Sequence, residues 1–254
     1  MKFASVSDKA KIGNNVTIKD FAVIEDDVEI GDNVIIGSNS FIGNGARIAK
    51  DVKIFHGAVV STVPQDLKYK GEDTLLEIGE GSVVREYATL NKGTTYSNTT
   101  RIGKNCLIMS YAHIAHDCIV GDNVIIANSV QFGGHVEIED SVIIGGMVGV
   151  HQFVKIGLHS IIGFGFRVSK DVPPFITAGH EPLRYEGLNL IGLRRRGFSD
   201  EAIKSISNAY DVIYRSGLNV SDGIRALKEG NCTEEVKQII KFVEGSTRGI
   251  IRGK

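Results

Sequence analysis

Isoleucine recurs at every sixth residue over the first part of the chain, and this period restricts the fold more than any other feature. The positions that share it are Ile12, Ile18, Ile24, Ile30, Ile36, Ile42, Ile48 and Ile54. An amphipathic helix would place apolar residues three and four apart, and an ordinary half-buried strand would alternate them. A strict period of six indicates instead short strands separated by sharp corners, with each turn of the chain stacked on the last as a solenoid.

Residues suited to sharp corners follow the periodic positions. Glycine comes directly after Ile12, Ile30 and Ile36, and Asn or Asp often comes next. These residue types tolerate positive φ and tight turns. Four residues beyond each isoleucine lies a second, mostly small apolar position, occupied for example by Ala22, Val28, Val34, Ala46 and Val52.

The six-residue pattern is interrupted twice. Residues 61–77 and residues 94–100 are polar stretches, and we expect both to be loops that leave the solenoid. The pattern resumes after each of them. The longest run comes last and comprises Ile102, Ile108, Ile114, Val120, Ile126, Phe132, Ile138, Ile144, Val150, Ile156, Ile162 and Val168.

The period changes near the end of the chain. The hexads stop before Pro173, and the residue before a proline is driven away from helical geometry. After a link through Gly179, Pro182 and Gly187, apolar residues lie at helical spacing from Ser199 to Gly217, with Ser199 suited to cap the helix. Shorter helical patterns cover residues 221–228 and begin again near Thr233.

Length and composition suit an elongated domain with a small appendage. The chain has 254 residues, of which 42% are apolar. We divide it into a β-solenoid over residues 1–190 and an α-helical C-terminal domain over residues 191–254. The formal net charge of -1 gives no reason to expect nucleic-acid binding. No stretch approaches about 18 continuous apolar residues, so no transmembrane segment is expected.

The three cysteines lack the CxxC spacing of a metal site. Cys106 and Cys118 fall four residues after Ile102 and Ile114, on the small inward positions, so buried packing is their expected role. Unpaired thiols of this kind indicate a reducing compartment, and we therefore expect a cytoplasmic protein.

Three histidines fall near one edge of successive coils. If a coil contains three strands and 18 residues, as in known hexapeptide solenoids, His116, His135 and His151 lie at offsets 14, 15 and 13 of their coils, counted from Ile102. Successive coils lie roughly 4.7 Å apart, so the three side chains are expected to stack. His113 lies around the preceding corner from His116.

Histidines that have no nucleophile beside them can act as general bases on a substrate hydroxyl. The chain contains no GxSxG elbow and no reactive-looking cysteine site. Zinc binding is the competing use, because carbonic anhydrases built on a similar solenoid bind zinc through three histidines. They require a His-x4-His pair, which this chain lacks. A non-catalytic binding solenoid would show repetitive outward residues, whereas those here are irregular. We assign no metal and no cofactor.

Local motifs allow comparison with known families. The motifs in the solenoid are Pro-Gln-Asp-Leu-Lys-Tyr at 64–69, Ala-His-Ile-Ala-His-Asp-Cys at 112–118, Gly-Gly-His-Val at 133–136, Val-His-Gln-Phe at 150–153 and Asp-Val-Pro-Pro at 171–174. Those in the tail are Arg-Arg-Gly-Phe-Ser at 195–199, Ala-Tyr at 209–210 and Ile-Tyr-Arg-Ser-Gly at 213–217. Essentially from end to end, the chain resembles the UDP-N-acetylglucosamine 3-O-acyltransferases that begin lipid A synthesis. The related N-acyltransferases of the same pathway are similar in the solenoid but differ in the tail.

This resemblance implies a left-handed parallel β-helix that assembles as a homotrimer, with active sites between subunits. It implies transfer of a 3-hydroxyacyl group from acyl carrier protein to the 3-hydroxyl of UDP-N-acetylglucosamine. His116 would be the general base, assisted by Asp117, and Gly134 would offer its backbone N–H to the thioester oxyanion. Because neighbours on an extended strand point to opposite sides, Asp117 can assist His116 only across a corner.

Substrate-holding residues follow from the same resemblance. Those implied to hold the sugar nucleotide or the acyl chain are Asp66, Lys68, His113, His135 and Gln152. Asn189, Arg195 and Arg196 match positions that hold the UDP part, and guanidinium groups suit phosphate. The other interpretation of the arginine run, residues 194–196, is that it forms a solvated turn before a helix.

Three positions depart from the family pattern. Asn91 stands where histidine is common, and Ile191 stands where an acidic residue often lies near the nucleotide. They leave open whether the acceptor sugar carries a 3-hydroxyl or a 3-amino group. Phe164 stands where long-chain enzymes have glycine, so the resemblance implies that it limits the acyl chain. The alternative is that Phe164 points elsewhere and stacks with Phe166.

Overall fold

The structure is a computed structural model that describes residues 3–230 and 232–253. Residues 1, 2, 231 and 254 of the two expected domains lie outside this description. Short strands form three sheets that run along the solenoid axis. Sheet A contains β1 (Ser5–Val6), β4 (Val23–Ile24), β7 (Phe41–Ile42), β10 (Val59–Thr62), β13 (Thr89–Asn91), β16 (His113–Ile114), β19 (Gln131–Phe132), β22 (Gly149–Val150) and β25 (Arg167–Val168).

The other two sheets complete each coil. Sheet B contains β2 (Lys11–Ile12), β5 (Val28–Ile30), β8 (Ala46–Ile48), β11 (Leu75–Ile78), β14 (Thr99–Ile102), β17 (Ile119–Val120), β20 (Glu137–Ile138) and β23 (Lys155–Ile156). Sheet C contains β3 (Thr17–Ile18), β6 (Ile35–Ile36), β9 (Lys53–Ile54), β12 (Val83–Val84), β15 (Leu107–Ile108), β18 (Ile125–Ile126), β21 (Ile143–Ile144), β24 (Ile161–Ile162), β26 (Ile176–Gly179) and β27 (Arg184–Leu188).

Every third strand pairs in parallel, and the register repeats after one coil. Ile125 lies beside Ile143, and Ile143 lies beside Ile161, so one coil takes 18 residues. The expected left-handed parallel β-helix is confirmed. Because the same position recurs on the same sheet in each coil, the six-residue pattern of the sequence becomes three continuous apolar columns.

From Ile18 onward, the periodic isoleucines form the core of the solenoid. Ile36, Ile42 and Ile108 are completely buried, as are the small side chains of Val34 and Val52. Full burial of one such side chain contributes roughly 1.5–3 kcal/mol, so the stacked columns supply most of the driving force for folding. Cys106 and Cys118 are buried in this core, as expected.

The glycines after the isoleucines serve a different purpose from the one expected. A Cβ atom on Gly31 would lie 2.6 Å from the backbone nitrogen of Lys50, so glycine is required there for close approach of successive coils. The positive φ angles occur two residues later, at Asn15, Asn33 and Asn39. Asparagine tolerates this conformation better than most residues, which explains its frequency at the corners.

The first loop is shorter than the sequence suggested, and the second has the same length but begins and ends two residues earlier. β10 continues to Thr62 and β11 begins at Leu75, so the first loop covers residues 63–74 instead of 61–77. The second loop covers residues 92–98 instead of 94–100. The strands extend because neighbouring coils lengthen together: Thr62 pairs with Asn91, and Leu75 pairs with Thr99.

The link after the solenoid is a hairpin, which the sequence pattern did not predict. β26 pairs in parallel with β24 of the last full coil and antiparallel with β27. The hairpin therefore extends sheet C beyond the last hexad. The link between the hexads and the helices is therefore ordered, because it pairs with the end of sheet C.

Four helices follow the hairpin in the described residues: α1 (Leu190–Arg195), α2 (Asp200–Arg215), α3 (Val220–Lys228) and α4 (Glu234–Glu244). The predicted N-cap of α2 is confirmed, since the Ser199 side chain accepts a hydrogen bond from the Ala202 N–H. Thr233 caps α4 in the same way. The short helix α1 was not predicted, and it contains most of the arginine run in place of a turn. No helix in the described ranges is long and apolar enough to cross a membrane.

Aromatic packing fixes the helices against the end of the solenoid. Tyr210 of α2 is almost completely buried, and its hydroxyl donates to the Pro174 carbonyl at 2.6 Å. Its ring stacks on Tyr185 of the hairpin at 5.3 Å. Burial raises the pKa of Tyr210 well above its ordinary value, so the hydroxyl remains a donor.

Candidate active site

His116 and Asp117 occupy the corner between β16 in sheet A and β17 in sheet B. Asp117 has a φ of 59°, and this left-handed corner turns its side chain toward its neighbour. Nδ1 of His116 lies 2.7 Å from Oδ2 of Asp117. The side chain of Asp117 is 0% exposed and that of His116 is 12% exposed. Adjacent residues on an extended strand point to opposite sides, but the corner allows these two side chains to meet.

The Asp117 carboxylate accepts hydrogen bonds from three residues. Besides His116, Thr94 and Ser97 of the second loop donate to it through both their backbone N–H groups and their hydroxyls. Burial opposes ionisation of this carboxyl. The donors from His116, Ser97 and Thr94 outweigh that effect and hold the pKa of Asp117 well below its usual range.

Ionised Asp117 determines the tautomer of His116. A carboxylate is acceptor-only, so Nδ1 of His116 must carry the proton of the shared hydrogen bond. The other ring nitrogen, Nε2, then keeps its lone pair and can accept a proton from a substrate. A neutral imidazole held in this tautomer is the arrangement that a general base requires.

Gly134 lies against the basic edge of the His116 ring. A Cβ atom at this position would lie 2.7 Å from Nε2 and 2.6 Å from Cε1 of His116. Within residues 3–230 and 232–253 the backbone N–H of Gly134 has no hydrogen-bond partner. A donor that is free and adjacent to the base fits the expected role toward an oxyanion.

Three aromatic rings lie in a row from His116, with His135 edge-on to it, but the third ring is not the expected one. The His135 ring lies 5.0 Å from that of His116, and Phe153 stacks on His135 at 4.3 Å. His151 lies outside this stack, with its Nδ1 3.0 Å from the Gln152 carbonyl. The reason is register: residues 135 and 153 are 18 apart and both occupy the left-handed corner position.

Charged residues of the first loop affect the pKa of His135. Burial lowers the pKa of His135, while the negative charges of Asp117 and Asp66 oppose that shift and the positive charge of Lys68 adds to it. Asp66 and Lys68 are therefore within electrostatic reach of the histidine. Nδ1 of His135 is buried and has no hydrogen-bond partner among the described residues. It is a polar atom that a bound substrate could satisfy.

Two further expected residues border this corner. His113 shares a hydrogen bond of 2.8 Å with the Thr89 hydroxyl, and burial, aided by the nearby His116, lowers its pKa. Gln152 is exposed and lies over Gly133. His113, His135 and Gln152 thus lie near the His116–Asp117 pair.

The residues expected to hold UDP lie elsewhere on the chain. Asn189 is buried and caps α1, with its side chain bonded to the Gly192 N–H and the His159 carbonyl. Arg195 is exposed, and Arg196 donates to the Ser141 carbonyl at 3.3 Å. Ser141 and His159 belong to the corner between sheets B and C, so one chain does not bring these arginines to the corner of His116.

Phe164 lies on the third kind of corner, between β24 in sheet C and β25 in sheet A. It is 68% exposed, and its ring would lie 3.3 Å from a Cβ atom on Gly146. Phe166 instead packs against the hydrophobic core. The described residues therefore do not show the alternative in which the two rings stack on each other.

The two other departures from the family pattern have different surroundings. Asn91 is buried and donates to the Thr62 hydroxyl and the Val63 carbonyl, which ties the two loops together at their bases. Its Oδ1 has no partner among the described residues. Ile191 is 68% exposed on α1.

A metal ion at this corner would have to compete with hydrogen bonds that are already formed. His116, Asp117 and His135 offer ligand atoms within 4.8 Å of one another. However, the Asp117 oxygens already accept the donors from Thr94, Ser97 and His116. These bonds suit a carboxylate that orients an imidazole, and we assign no metal here.

Sequence reasoning missed the contribution of the second loop. Besides Thr94 and Ser97, this loop carries Tyr96, whose ring meets that of His135 edge-on at 4.4 Å. One signal was present in the sequence. The second loop lies directly before β14, and β14 belongs to the coil that precedes the corner of His116, so the loop and that corner are neighbours in the stack. Polar residues that enter such a loop are candidates for contact with that corner.

Comparison with known proteins agrees with this geometry. Residues 171–251 match the family model of the second domain of UDP-N-acetylglucosamine O-acyltransferases, and residues 9–44 and 99–134 match the bacterial transferase hexapeptide repeat. An acyl-[acyl-carrier-protein]–UDP-N-acetylglucosamine O-acyltransferase from Chlorobaculum parvum is 54% identical, over 97% of this chain and 94% of that protein. Its counterpart from Paracidovorax citrulli is 47% identical over 98% and 97%.

Solved structures give the same result. The crystal structure of a UDP-N-acetylglucosamine acyltransferase from Bacteroides fragilis superposes with a TM-score of 0.97 at 45% identity, over 99% of both chains. One from Acinetobacter baumannii has a TM-score of 0.96 at 41% identity, again over 99% of both. The agreement covers the helical tail as well as the solenoid. The chain is therefore an acyltransferase that belongs to the acyl-[acyl-carrier-protein]–UDP-N-acetylglucosamine O-acyltransferase family.

Proposed function

We propose that this protein transfers a 3-hydroxyacyl group from acyl carrier protein to the 3-hydroxyl of UDP-N-acetylglucosamine, the first step of lipid A biosynthesis, with His116 as general base. The observation that carries the proposal is the 2.7 Å contact between His116 and Asp117, which leaves Nε2 free beside Gly134. The substrates are inferred from family membership, and the mechanism is inferred from the geometry of the corner.

The reaction proceeds by direct attack on the thioester. Nε2 of His116 takes the proton of the sugar 3-hydroxyl while that oxygen forms a bond to the thioester carbon. Negative charge develops on the carbonyl oxygen, where the Gly134 N–H can stabilise it; such a donor is worth a few kcal/mol. The C–S bond then breaks, and the imidazolium returns its proton to the leaving thiolate. Asp117 stays ionised throughout and stabilises the imidazolium.

Substrate binding is divided between corners, which supports a homotrimer. Asp66, Lys68, His113, His135 and Gln152 are proposed to hold the sugar and the acyl chain beside the base. Asn189, Arg195 and Arg196 are proposed to hold the UDP part, Asn189 by fixing α1 in place. Since these residues and Phe164 lie at other corners, only a neighbouring subunit can add them to the same cleft. Light scattering that shows a fully active monomer at micromolar concentration would contradict this arrangement.

We also place the protein in the cytoplasm. The cysteines of the described residues are free, and burial raises the pKa of Cys106 to about 11 and that of Cys118 to about 12. Such thiols persist unpaired in a reducing compartment.

The test of the proposed base is the His116→Ala substitution. Acyl transfer should fall by about 10²–10⁴-fold, the usual cost of losing a general base, while the fold is retained. The matched control is His180→Ala, since His180 lies in the hairpin and its side chain is 56% exposed. Activity of His116→Ala within about tenfold of the unchanged protein would exclude His116 as the base. Parallel assays with 3-hydroxyl and 3-amino acceptors identify the sugar.

A further inference from the structure

The second loop, residues 92–98, encloses the Asp117 carboxylate. The backbone N–H groups of Thr94 and Ser97 lie 3.0 and 3.2 Å from Oδ1. The Thr94 hydroxyl lies 2.7 Å from Oδ2, and the Ser97 hydroxyl lies 2.5 Å from Oδ1. Each carboxylate oxygen therefore accepts at least one hydroxyl proton from this loop.

The orientation of both hydroxyls is determined by their surroundings. The Thr94 oxygen accepts the Tyr96 N–H at 3.2 Å, so its own proton is free to point at Asp117. The Ser97 hydroxyl has the Thr99 carbonyl at 3.1 Å as a second possible acceptor. The carboxylate is both nearer and charged, and it takes the proton because charge-assisted hydrogen bonds are the stronger ones.

Thr94 and His116 compete for the same oxygen. Both donate to Oδ2 of Asp117 at 2.7 Å. A carboxylate that already accepts strong hydrogen bonds attracts a further proton less strongly. Each hydroxyl of the loop therefore weakens the pull of Asp117 on the imidazole proton while it holds the carboxylate in place.

We infer that Thr94 and Ser97 are positioning residues that set how strongly Asp117 accepts from His116, and so the lowest pH at which His116 can serve as base. This inference rests on the function proposed for His116. The second loop thus has a chemical role, which is carried by the Thr94 and Ser97 hydroxyl groups that donate to Asp117.

Other charged and titratable groups face the same ring. The His135 ring lies 5.0 Å away, and the charge of His116 also acts on His113. Asp66 and Lys68 act on His135 from the first loop. All four are kept in the variants described next, so a change in pH dependence reports on the hydroxyls.

Thr94→Val tests the inference because it removes a hydroxyl from a side chain of the same shape and keeps the backbone donor. The acidic limb of the kcat/KM profile should move to higher pH, since Asp117 then accepts more strongly from His116. Ser97→Ala should move it in the same direction. Thr94→Ser should restore the original profile. Thr95→Val is the control, because Thr95 is exposed in the same loop.

A second readout separates this inference from the function on which it rests. In NMR spectra of histidine-labelled protein, the Nδ1–H signal of His116, identified by its loss in His116→Gln, should move downfield in Thr94→Val. A lower kcat with an unmoved acidic limb and an unmoved signal would make Thr94 and Ser97 structural only and would overturn the inference. Full activity of His116→Ala would overturn the proposed base instead, and the NMR shift would still decide whether the hydroxyls control Asp117.

Discussion

A methyl group on Gly134 would lie 2.7 Å from Nε2 of His116, closer than the two groups can pack. The φ of Gly134 is not in the left-handed region, so space alone requires glycine here. The glycine brings a backbone N–H next to the base, and any side chain would push the imidazole out of its place.

Gly134→Ala should therefore lower kcat/KM by at least about tenfold, because small displacements of a catalytic group are costly. Thermal stability should change less, since overpacking of this kind typically costs about 1–3 kcal/mol. Gly149→Ala is the matched control, because no atom lies within 4 Å of the added carbon. Steady-state kinetics and thermal unfolding of both variants check this prediction, and normal kinetics for Gly134→Ala would contradict it.

Asp117→Asn should abolish most activity although the corner can be kept, since asparagine also tolerates a φ of 59°. An amide NH₂ facing Nδ1 would favour the tautomer in which Nε2 carries the proton, and the base would be lost. We expect a decrease in kcat of about 10²–10⁴-fold. Circular dichroism should show an intact solenoid. If kcat stays within a factor of ten, Asp117 does not orient His116.

Stability should depend on the protonation of His159. Burial, aided by the positive charge of Arg196, lowers its pKa from 6.5 to about 4. The unfolded chain therefore binds a proton in this range that the folded chain does not, so this contribution to stability is present above pH 6.5 and is lost as pH falls toward 4.

His159→Asn should weaken this pH dependence. Asparagine fits the φ of 57° and does not titrate. The melting temperature of the variant should be lower at pH 7 because ring packing is lost, and it should fall less steeply between pH 6.5 and 4. Identical slopes in thermal unfolding would show that His159 is not the responsible group.

Phe164→Gly should shift the preference of the enzyme toward longer 3-hydroxyacyl donors. The exposed phenylalanine fills space that glycine would leave open, and closed apolar sites discriminate against added methylenes. Phe21→Gly is the control, because Phe21 is 60% exposed on the same kind of corner. Competition among donors of different length measures the effect. An unchanged length profile would mean that Phe164 does not limit the acyl chain.

Chelation should leave acyl transfer unchanged, because the donors on Asp117 are hydroxyl, amide and imidazole groups. The assay is run with and without a chelator, and then with added zinc. Loss of activity on chelation that zinc restores would favour metal chemistry at His116, Asp117 and His135.

The solenoid could be predicted from the residue pattern alone. The isoleucine period predicts which side chain of each short strand is buried, and this holds from Ile18 onward, whereas Ile12 at the open end of the solenoid is 38% exposed. The cap of α2 at Ser199 was equally predictable, since capping depends on a few adjacent residues. The positions of His116 and Asp117 on one coil followed from the same count.

Which side chains contact one another depends on how the coils and loops pack. Phe153, and not His151, stacks on His135, because side chains at left-handed corners one coil apart align their rings, whereas residues offset by one or two positions do not. Thr94 and Ser97 reach Asp117 because the second loop folds back over the next corner. The six-residue pattern of the sequence does not predict this contact. Burial patterns are local and can be read along the chain, but hydrogen bonds between a loop and a corner depend on how successive coils are stacked.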